Sequence, residues 1–332
     1  MNDFFQDGPV LGNQYDEDRV LRAFLRWKFP PGLLAEIEPG LRRLGERAVT
    51  DILTLGNAAE AQPPRHVPYD PWGRRIDRIE VCDAWKQLES IAAEEGIVAT
   101  AYERQHGPLS RLHQFARLYL YGPSSAIATC PLAMTDGAAR VLELYGDAWL
   151  KANPLPRLTA RDPAMFWTSG QWMTERTGGS DISGTSTVAR LEDGGFRLYG
   201  TKWFTSATTS PVAMTLARLD GAPAGSRGLS LFYLELRDEA DRLRNIRVHR
   251  LKDKLGTRAL PTAELTLEGT PARLVGGEGH GVRKMAALLN ITRGYNACGA
   301  VGGMRRGLAL ARDYARKRRV FGKLLAEQPL HL

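Results

Sequence analysis

The sequence predicts an α+β protein in which a β domain separates two helical regions. Apolar residues recur at three- and four-residue steps up to about residue 163 and again after Gly281, which is typical of one face of a helix. Between these regions the pattern changes to short runs of β-branched and aromatic residues. Because these runs follow one another without helical patterns between them, we expect a separate β-barrel or sandwich domain and not a doubly wound nucleotide-binding fold.

The changes of pattern predict three domains, which a chain of 332 residues is long enough to hold. We expect an N-terminal helical domain over 1–163, a central β domain over 164–276, and the first part of a C-terminal helical bundle over 277–332. The helical pattern still continues at Leu332, so we expect the chain to hold only part of that bundle.

The composition is that of an ordinary globular protein, with 43% hydrophobic and 25% charged residues. No apolar run approaches the roughly 20 residues of a membrane helix, so we expect no membrane span. The acidic N-terminus argues against a secretory signal or an Arg-rich presequence, which favours a cytoplasmic protein. The three cysteines are widely spaced, so we expect free thiols, no disulfide framework and no metal site.

In the N-terminal domain, an apolar stripe over 33–48 predicts an amphipathic helix. Asp77 is the expected N-cap of a second helix over 78–95, which Gly96 would close. The proline-rich segment 61–72 is expected to be irregular. Two further helices are predicted over 110–121 and 132–149.

In the central domain, Asp193-Gly194-Gly195 predicts the tight turn of a hairpin between strands at 185–191 and 196–199. Further strands are expected at 212–219, 229–236 and 263–267. In the last region, Gly281 begins a helical pattern rich in glycine, which would let helices pack closely. Eleven Lys or Arg residues and one acid lie between Arg283 and Lys323. Such a block suits an anionic ligand, a nucleic acid, an acidic surface or a solvated helix face.

Three motifs are candidates for chemistry. The first, MTERTGGSD over 173–181, has two adjacent glycines that permit close backbone approach and hydroxyl side chains that could hold an anion. The second, GTKWFTS over 200–206, sets aromatic rings beside hydroxyl groups, which suits a flat heterocycle. The third is YARKRRVFGK over 314–323, where Arg318 and Phe321 can address one ligand. Taken singly, each has a structural alternative: a polar turn, core packing of two aromatics, and a charged helix end.

The order and spacing of these motifs resemble the acyl-CoA dehydrogenase family. Residues 174–181 are similar to the loop that opens its β domain, and 200–206 to its later GxKxWIT strand. Lys254 to Arg258 is similar to its KLGxR segment, and Thr292-Arg293 to a helix start that follows. The wording of several motifs most resembles the AidB-like branch, named for an alkylation-response protein that also binds DNA.

The resemblance implies an FAD site and assigns its residues. Met173 and Thr174 would lie along the pyrimidine edge of the isoalloxazine, and Ser180 would hydrogen-bond the pyrophosphate beside Gly179. Phe204 takes the place of the family's tryptophan against the flavin, and Ser206 that of the threonine whose hydroxyl reaches N5. The residues expected to contact the adenosine diphosphate half of a neighbouring subunit's FAD are Arg318, Phe321 and Gln328.

The resemblance therefore implies a homo-oligomeric, FAD-dependent oxidoreductase that dehydrogenates an acyl-CoA between its α and β carbons, with hydride transfer to flavin N5. The family's usual catalytic base would lie beyond Leu332, so no catalytic residue is assigned. The alternative is an AidB-like flavoprotein whose main role is to bind and protect DNA. Two departures stand out: Arg176-Thr177 replaces the usual Pro-Gly of the loop, and Phe204 is smaller than the usual tryptophan.

Overall fold

The computed structural model describes residues 6–331, and its N-terminal part is helical apart from one two-stranded hairpin. The helices predicted over 33–48 and 110–121 are confirmed. The elements are α1 Arg19–Lys28, α2 Pro31–Arg47, α3 Asp51–Ala61, β1 Arg65–Tyr69, β2 Arg75–Glu80, α4 Asp83–Glu94, α5 Ala99–Glu103, α6 Ser110–Tyr121, α7 Thr129–Tyr145, α8 Ala148–Ala152 and α9 Pro154–Leu158.

Two expectations for this part are wrong. The segment 61–72 is not irregular, because it contributes β1, which pairs antiparallel with β2. Asp77 is not a helix cap, because it lies within β2 and α4 begins at Asp83. The buried Asp77 carboxylate instead accepts hydrogen bonds from Arg75 Nε (2.8 Å) and from the backbone N–H of Val248 (3.0 Å). A long-range contact thus outweighs the local capping preference.

The central part is a run of strands, as predicted. At the predicted hairpin turn, Asp193 and Gly194 have φ values of 48° and 76°, the left-handed conformations that a tight hairpin turn requires. The strand at 246–251 was not expected from the sequence. The strands are β3 Ser169–Trp172, β4 Val188–Glu192, β5 Gly195–Ser206, β6 Val212–Leu219, β7 Leu229–Glu235, β8 Ile246–Leu251 and β9 Thr262–Leu274.

These strands form a closed sheet. Going round it, β6 pairs with β4, β4 with β5, β5 with β9, β9 with β7, and β7 returns to β6. Strand β3 adds to β6 in parallel, and β8 adds to β9. Apolar side chains fill the interior, with Trp172, Leu198 and Phe232 completely buried. This confirms the predicted α+β fold with a barrel-like central domain.

The last part of the chain is the long helix α10 Gly281–Ala315, followed by a short hairpin of β10 Arg319–Val320 and β11 Lys323–Leu324. Helix α10 crosses α7 closely at Gly137, where an added Cβ would lie 3.2 Å from the Leu288 Cα. Buried Met285 and Leu288 of α10 share one core with α7, β6 and β7. Within residues 6–331, no helix combines the length and apolar character needed to cross a membrane.

Candidate functional site

The loop over 173–181, between β3 and β4, is anchored at Glu175. The Glu175 carboxylate is buried and accepts hydrogen bonds from the backbone and hydroxyl of Ser186 (2.6 Å each) and of Thr187 (3.1 and 2.5 Å). Its remaining partner is Lys202 of β5, whose Nζ lies 2.8 Å away. A carboxylate with this many donors fixes the loop against two neighbouring strands.

Lys202 is itself completely buried, and its Nζ also donates to the Leu216 carbonyl (3.1 Å). Burial alone would raise the pKa of Glu175, but the Lys202 ammonium and the hydrogen bonds outweigh it and lower this pKa to about 2. Burial lowers the pKa of Lys202, and the Glu175 charge opposes that shift. The pair is therefore ionised, and each charge depends on the other.

The rest of the loop is open. Thr174 accepts a hydrogen bond at its carbonyl from the Trp203 N–H (2.8 Å), and its side chain packs against Gly179. Ser180 is exposed. Neither the backbone N–H groups of Gly179 and Ser180 nor the Ser180 hydroxyl hydrogen-bonds to residues 6–331. The loop therefore offers adjacent N–H and O–H donors to an anion.

The end of β5 presents an aromatic ring. A register irregularity between Lys202 and Thr205 gives Phe204 a φ of 52° and leaves it 45% exposed. The ring makes an edge-to-face contact with Trp203, and Lys252 Nζ lies 4.1 Å from its centroid. The alternative that the two aromatics pack in the core is wrong, because neither ring is buried.

Phe204 and Ser206 line a cavity of about 500 Å³ between the β domain and helices α7 and α10. The Ser206 hydroxyl is 3.1 Å from the hydroxyl of Thr262. The other lining residues come from α7 and the loop before it, from β3, from 252–262 and from α10: Ile127, Thr129, Cys130, Ala133, Met134, Gln171, Lys252, Lys254, Thr257, Leu260, Thr292, Tyr295 and Asn296. The cavity thus combines an exposed ring and hydroxyl groups with apolar walls.

One wall of this cavity has a strained backbone. Ala126 and Ile127 have φ values of 47° and 64°, a rare conformation for a β-branched residue. The preceding turn is held in place because Ser124 Oγ donates to the Ala48 carbonyl (2.6 Å) and receives a hydrogen bond from Arg306 (3.0 Å). The surrounding helices therefore fix the position of Ile127 at the cavity wall.

Below the cavity, Asp136 of α7 ties four helices together. Its completely buried carboxylate accepts hydrogen bonds from Arg111 (2.5 and 2.7 Å), Gln114 (2.6 Å), Tyr102 (2.8 Å) and Tyr295 (3.0 Å). Burial, together with the negative charge of Asp136, raises the pKa of both tyrosines well above the ordinary value. Tyr295 joins this network to the cavity that it also lines.

The remaining predicted residues lie elsewhere. Met173 is half-buried and packs against the apolar core shared by α7, β6 and α10. Arg318, Phe321 and Gln328 lie together beyond α10, on and beside the β10–β11 hairpin. Phe321 is 97% exposed, and Gln328 Nε2 donates to the Val320 carbonyl (2.9 Å). These three residues are not part of the cavity wall.

Three family models match consecutive parts of the chain. They are the adaptive response protein AidB N-terminal domain over 10–162, the acyl-CoA dehydrogenase middle domain over 170–270, and the acyl-CoA dehydrogenase C-terminal domain over 279–331. The chain belongs to the acyl-CoA dehydrogenase family. The predicted family and its AidB-like branch are thus confirmed, and acyl-CoA dehydrogenases are a family of flavoproteins.

Individual members of the acyl-CoA dehydrogenase family are similar over nearly the whole chain. Acyl-CoA dehydrogenase family member 11 of Caenorhabditis elegans is 45% identical over 99% of this chain and 55% of its own length. Putative acyl-CoA dehydrogenase AidB of Escherichia coli is 35% identical over 87% of this chain and 54% of its own. The chain therefore spans about half the length of these curated relatives.

Two solved structures are similar to this chain over nearly its whole length. The apo form of Bd2924 is 62% identical, with a TM-score of 0.97, and the match covers 99% of this chain and 67% of that one. The Caenorhabditis elegans protein in complex with C11-CoA superposes with a TM-score of 0.96, over 100% of this chain and 57% of that one. The fold of both extends through all three parts of the chain.

Sequence reasoning missed several residues of this site. Glu175 lies in the motif over 173–181, and Lys202 lies in the motif over 200–206. Lys202 is a charged residue within a strand pattern, and this was the signal for a buried ion pair. Lys252 and Asp136 carried no such local signal, because their partners come from other elements. The residues present fit a flavin: an exposed ring, a neighbouring hydroxyl and a loop with open N–H donors.

Proposed function

We propose that the protein is an FAD-dependent acyl-CoA dehydrogenase, which removes hydrogen from the α and β carbons of an acyl thioester. The observation that carries the proposal is the cavity in which the Phe204 ring and the Ser206 hydroxyl meet apolar residues of two helices. The similarity to a Caenorhabditis elegans protein that was solved with C11-CoA supports an acyl-CoA as the substrate. FAD, when bound, would supply the acceptor for the hydride that leaves the β carbon.

The chain's own residues would position the flavin and the substrate. Phe204 would lie against the isoalloxazine, Ser206 would hydrogen-bond its N5 edge, and Met173 and Thr174 would run along its pyrimidine edge. The Ser206 hydroxyl has the Thr262 hydroxyl as its neighbour, which would orient it. The apolar side chains of the cavity suit an acyl chain and would exclude water from the reacting carbons. They include Ile127, Ala133, Met134 and Leu260.

The pyrophosphate would be held at the loop. The open N–H groups of Gly179 and Ser180 and the Ser180 hydroxyl are donors of the kind that bind phosphate oxygens. The buried Glu175–Lys202 pair would keep these donors in register without approaching the phosphate itself.

The adenosine diphosphate half would reach a second subunit. Arg318, Phe321 and Gln328 would contact the FAD of a neighbour, so we propose a homo-oligomer. The exposure of the Phe321 ring, at 97%, supports this because an aromatic side chain at that position has its apolar surface open to a partner. Light scattering on the purified protein would measure the mass of the assembly.

Glu264 and Glu268 are not proposed as the catalytic base. Glu264 pairs with Arg250 (2.9 Å), and Glu268 pairs with Arg247 (2.7 Å). Neither glutamate lines the cavity of Phe204 and Ser206, so neither carboxylate is placed to face a substrate bound there.

The absorbance spectrum of the purified protein tests the proposal. We expect a flavin band at about 450 nm, from the cofactor's own electronics, that bleaches when an acyl-CoA is added. Phe204→Ala and Ser206→Ala should lower the flavin content at equal protein concentration, whereas Ser226→Ala, on an exposed turn outside the cavity, should not. A protein purified without flavin that also fails to take up added FAD would overturn the proposal.

We place the DNA-binding role second. Six of the eleven basic residues of 283–323 are spread along α10, whose 35 residues span about 52 Å at 1.5 Å per residue, and the other five follow this helix. Two of them make hydrogen bonds within the chain: Lys284 donates to the Gly277 and Gly279 carbonyls, and Arg306 donates to Ser124. Tight duplex binding with a steep salt dependence, together with no bleaching by any acyl-CoA, would reverse this order.

A further inference from the structure

A second cleft lies away from the cavity, between the N-terminal segment and the last third of α10. Its volume is about 620 Å³, and it shares no lining residue with the cavity of Phe204 and Ser206. Five arginines line it: Arg19, Arg22, Arg305, Arg312 and Arg316. We call this site the arginine cleft.

Two of the four acids that line the arginine cleft pair with cations that do not line it. Asp16 pairs with Arg42 (2.9 Å), which lies outside the cleft. Asp313 pairs with Lys317 (2.7 Å) and accepts a hydrogen bond from the Val10 N–H (2.8 Å).

Only one of the five arginines has a carboxylate partner of its own. Arg305 Nε lies 3.1 Å from Asp18, which also accepts a hydrogen bond from Tyr119 (2.7 Å). Within residues 6–331, no ion pair is found for Arg19, Arg22, Arg312 or Arg316, and Glu17 is the remaining acid of the cleft. Five arginines thus lie beside four acids, and two of those acids pair with cations that do not line the cleft, so positive charge is in excess there.

The Arg22 side chain contains a buried hydrogen-bond donor that lacks an acceptor among the described residues. Its side chain is half-buried, and its Nε is inaccessible to solvent yet has no hydrogen-bond partner among the described residues. Buried donors are almost always satisfied in proteins, and one that is not indicates a partner still to come. Since Arg22 lines the arginine cleft, a change of its side-chain rotamer would bring this Nε to an oxygen bound there.

We propose that the arginine cleft binds the phosphate groups of a small molecule such as a nucleoside diphosphate. Guanidinium groups match phosphate oxygens two at a time, and they stay charged at every physiological pH. The volume is in the range of small-molecule sites, and the wall is mainly polar, which suits an anion better than an acyl chain. The cleft joins the first helix of the chain to α10, so occupancy would also fasten these two elements together.

Titration calorimetry on the purified, flavin-loaded protein tests the proposal, with inorganic pyrophosphate and ADP as separate probes. We expect both to bind, and Arg22→Gln and Arg312→Gln each to weaken binding by about tenfold, as for one lost charge-assisted hydrogen bond. Tighter binding of ADP than of pyrophosphate would mean that the nucleoside also contributes, and equal binding that phosphate alone is recognised. Flavin absorbance should be the same in all variants, which separates this result from the fate of the flavin proposal.

Arg26→Gln is the matched control, because Arg26 is an exposed arginine of the same helix α1 that does not line the cleft. It should change the affinity by less than about twofold, since its exposed side chain does not line the cleft and water weakens the effect of its charge. Thermal unfolding without ligand checks that each variant folds, and ADP should raise the midpoint of the wild type more than that of Arg22→Gln.

Three outcomes would overturn the proposal. The first is that neither probe binds the wild type at millimolar concentration. The second is that Arg26→Gln weakens binding as much as Arg22→Gln, which would mean a general attraction to the basic surface. The third is that duplex DNA displaces ADP in proportion to its phosphate content, which would assign the arginine cleft to nucleic acid.

Discussion

Two buried carboxylates, one in the β domain and one in the helical part, hold the candidate site in different ways. Glu175 faces Lys202, whose side chain is completely buried. Asp136 faces Arg111, whose side chain keeps 31% of its surface exposed. A charge that loses its partner can reach water in the second case but not in the first. The β domain therefore depends more on its ion pair than the helical part does on its network.

The largest effect is expected for Glu175→Gln. This change leaves the Lys202 ammonium buried without a counter-charge, so we expect a loss of about 3–5 kcal/mol in the free energy of unfolding. Denaturant unfolding followed by fluorescence measures it. The flavin content should fall too, because the loop over 173–181 loses its anchor.

Arg247→Gln provides the control for this change. Arg247 pairs with Glu268 on the surface, where the side chains are 48% and 40% exposed, and such pairs contribute about 0–1 kcal/mol. The double variant Glu175→Gln and Lys202→Met should recover much of the loss, because it removes both charges together and keeps an oxygen acceptor for donors of Ser186 and Thr187. Equal losses for Glu175→Gln and Arg247→Gln would contradict the importance assigned to the buried pair.

Asp136→Asn should cost less, about 1.5–3 kcal/mol, as for hydrogen bonds to a charged group. Arg111 can turn toward solvent after the change. Gln114 and Tyr295 donate to the same carboxylate oxygen, which an asparagine can keep, and the Tyr102 hydroxyl keeps the backbone carbonyl of residue 136 as an acceptor (2.6 Å). Glu143→Gln, further along the same helix and paired with Arg104 and Arg140, is the control and should stay within about 1 kcal/mol. A loss for Asp136→Asn larger than for Glu175→Gln would reverse the comparison.

Much of the fold could be predicted from the sequence, because its signals are local. The hairpin turn at Asp193-Gly194 and the helix over 33–48 each follow from a few neighbouring residues. Strand β8 was missed although Ile246 and Val248 alternate with charged residues, since that charge resembles a surface loop. Hairpin β1–β2 was missed because its prolines favour irregular structure and only pairing with β2 overrides them.

The candidate site divides in the same way. Phe204 and Ser206 could be placed by motif, and the structure brings them to one cavity. Glu175 and Lys202 are 27 residues apart, and their contact depends on how β3, β4 and β5 lie together, which no local pattern encodes. In the Asp136 network, Gln114 and Tyr295 are hydrogen-bonded although they are 181 positions apart. Contacts of this range follow from the packed fold and not from spacing along the chain.

The stability of the β domain should decrease at low pH, and that of the helical part should decrease at high pH. The pKa of Glu175 is lowered from 4.5 to about 2 in the folded state. The unfolded chain therefore binds this proton first, so stability is lost as pH falls from about 4.5 toward 2. Unfolding free energies across this range should fall less steeply for Glu175→Gln than for the wild type. Parallel curves for the two proteins would contradict the assignment of this loss of stability to Glu175.

At the alkaline end, the helical part should be the more sensitive. The pKa values of Tyr102 and Tyr295 are raised by burial and by Asp136, so both tyrosines stay protonated in the folded state above their ordinary value of 10.0. The unfolded chain then binds fewer protons, and stability falls as pH rises above about 10. Removing the Asp136 charge should soften this loss, which urea unfolding of Asp136→Asn at alkaline pH would measure.

The smallest effect is expected for Tyr295→Phe, which removes one donor from Asp136 and leaves the other donors in place. We expect a loss of about 1 kcal/mol in the free energy of unfolding, because Asp136 remains paired with Arg111 and no buried charge is stranded. Ser186→Ala is its counterpart in the β domain, since the Ser186 N–H still reaches Glu175 after the hydroxyl is gone. Similar small losses for the two would mean that the difference between the regions resides in the buried cation and not in the neutral donors. A much larger loss for Tyr295→Phe would mean instead that this hydroxyl, which also borders the cavity, supports the packing of α10 on α6 and α7.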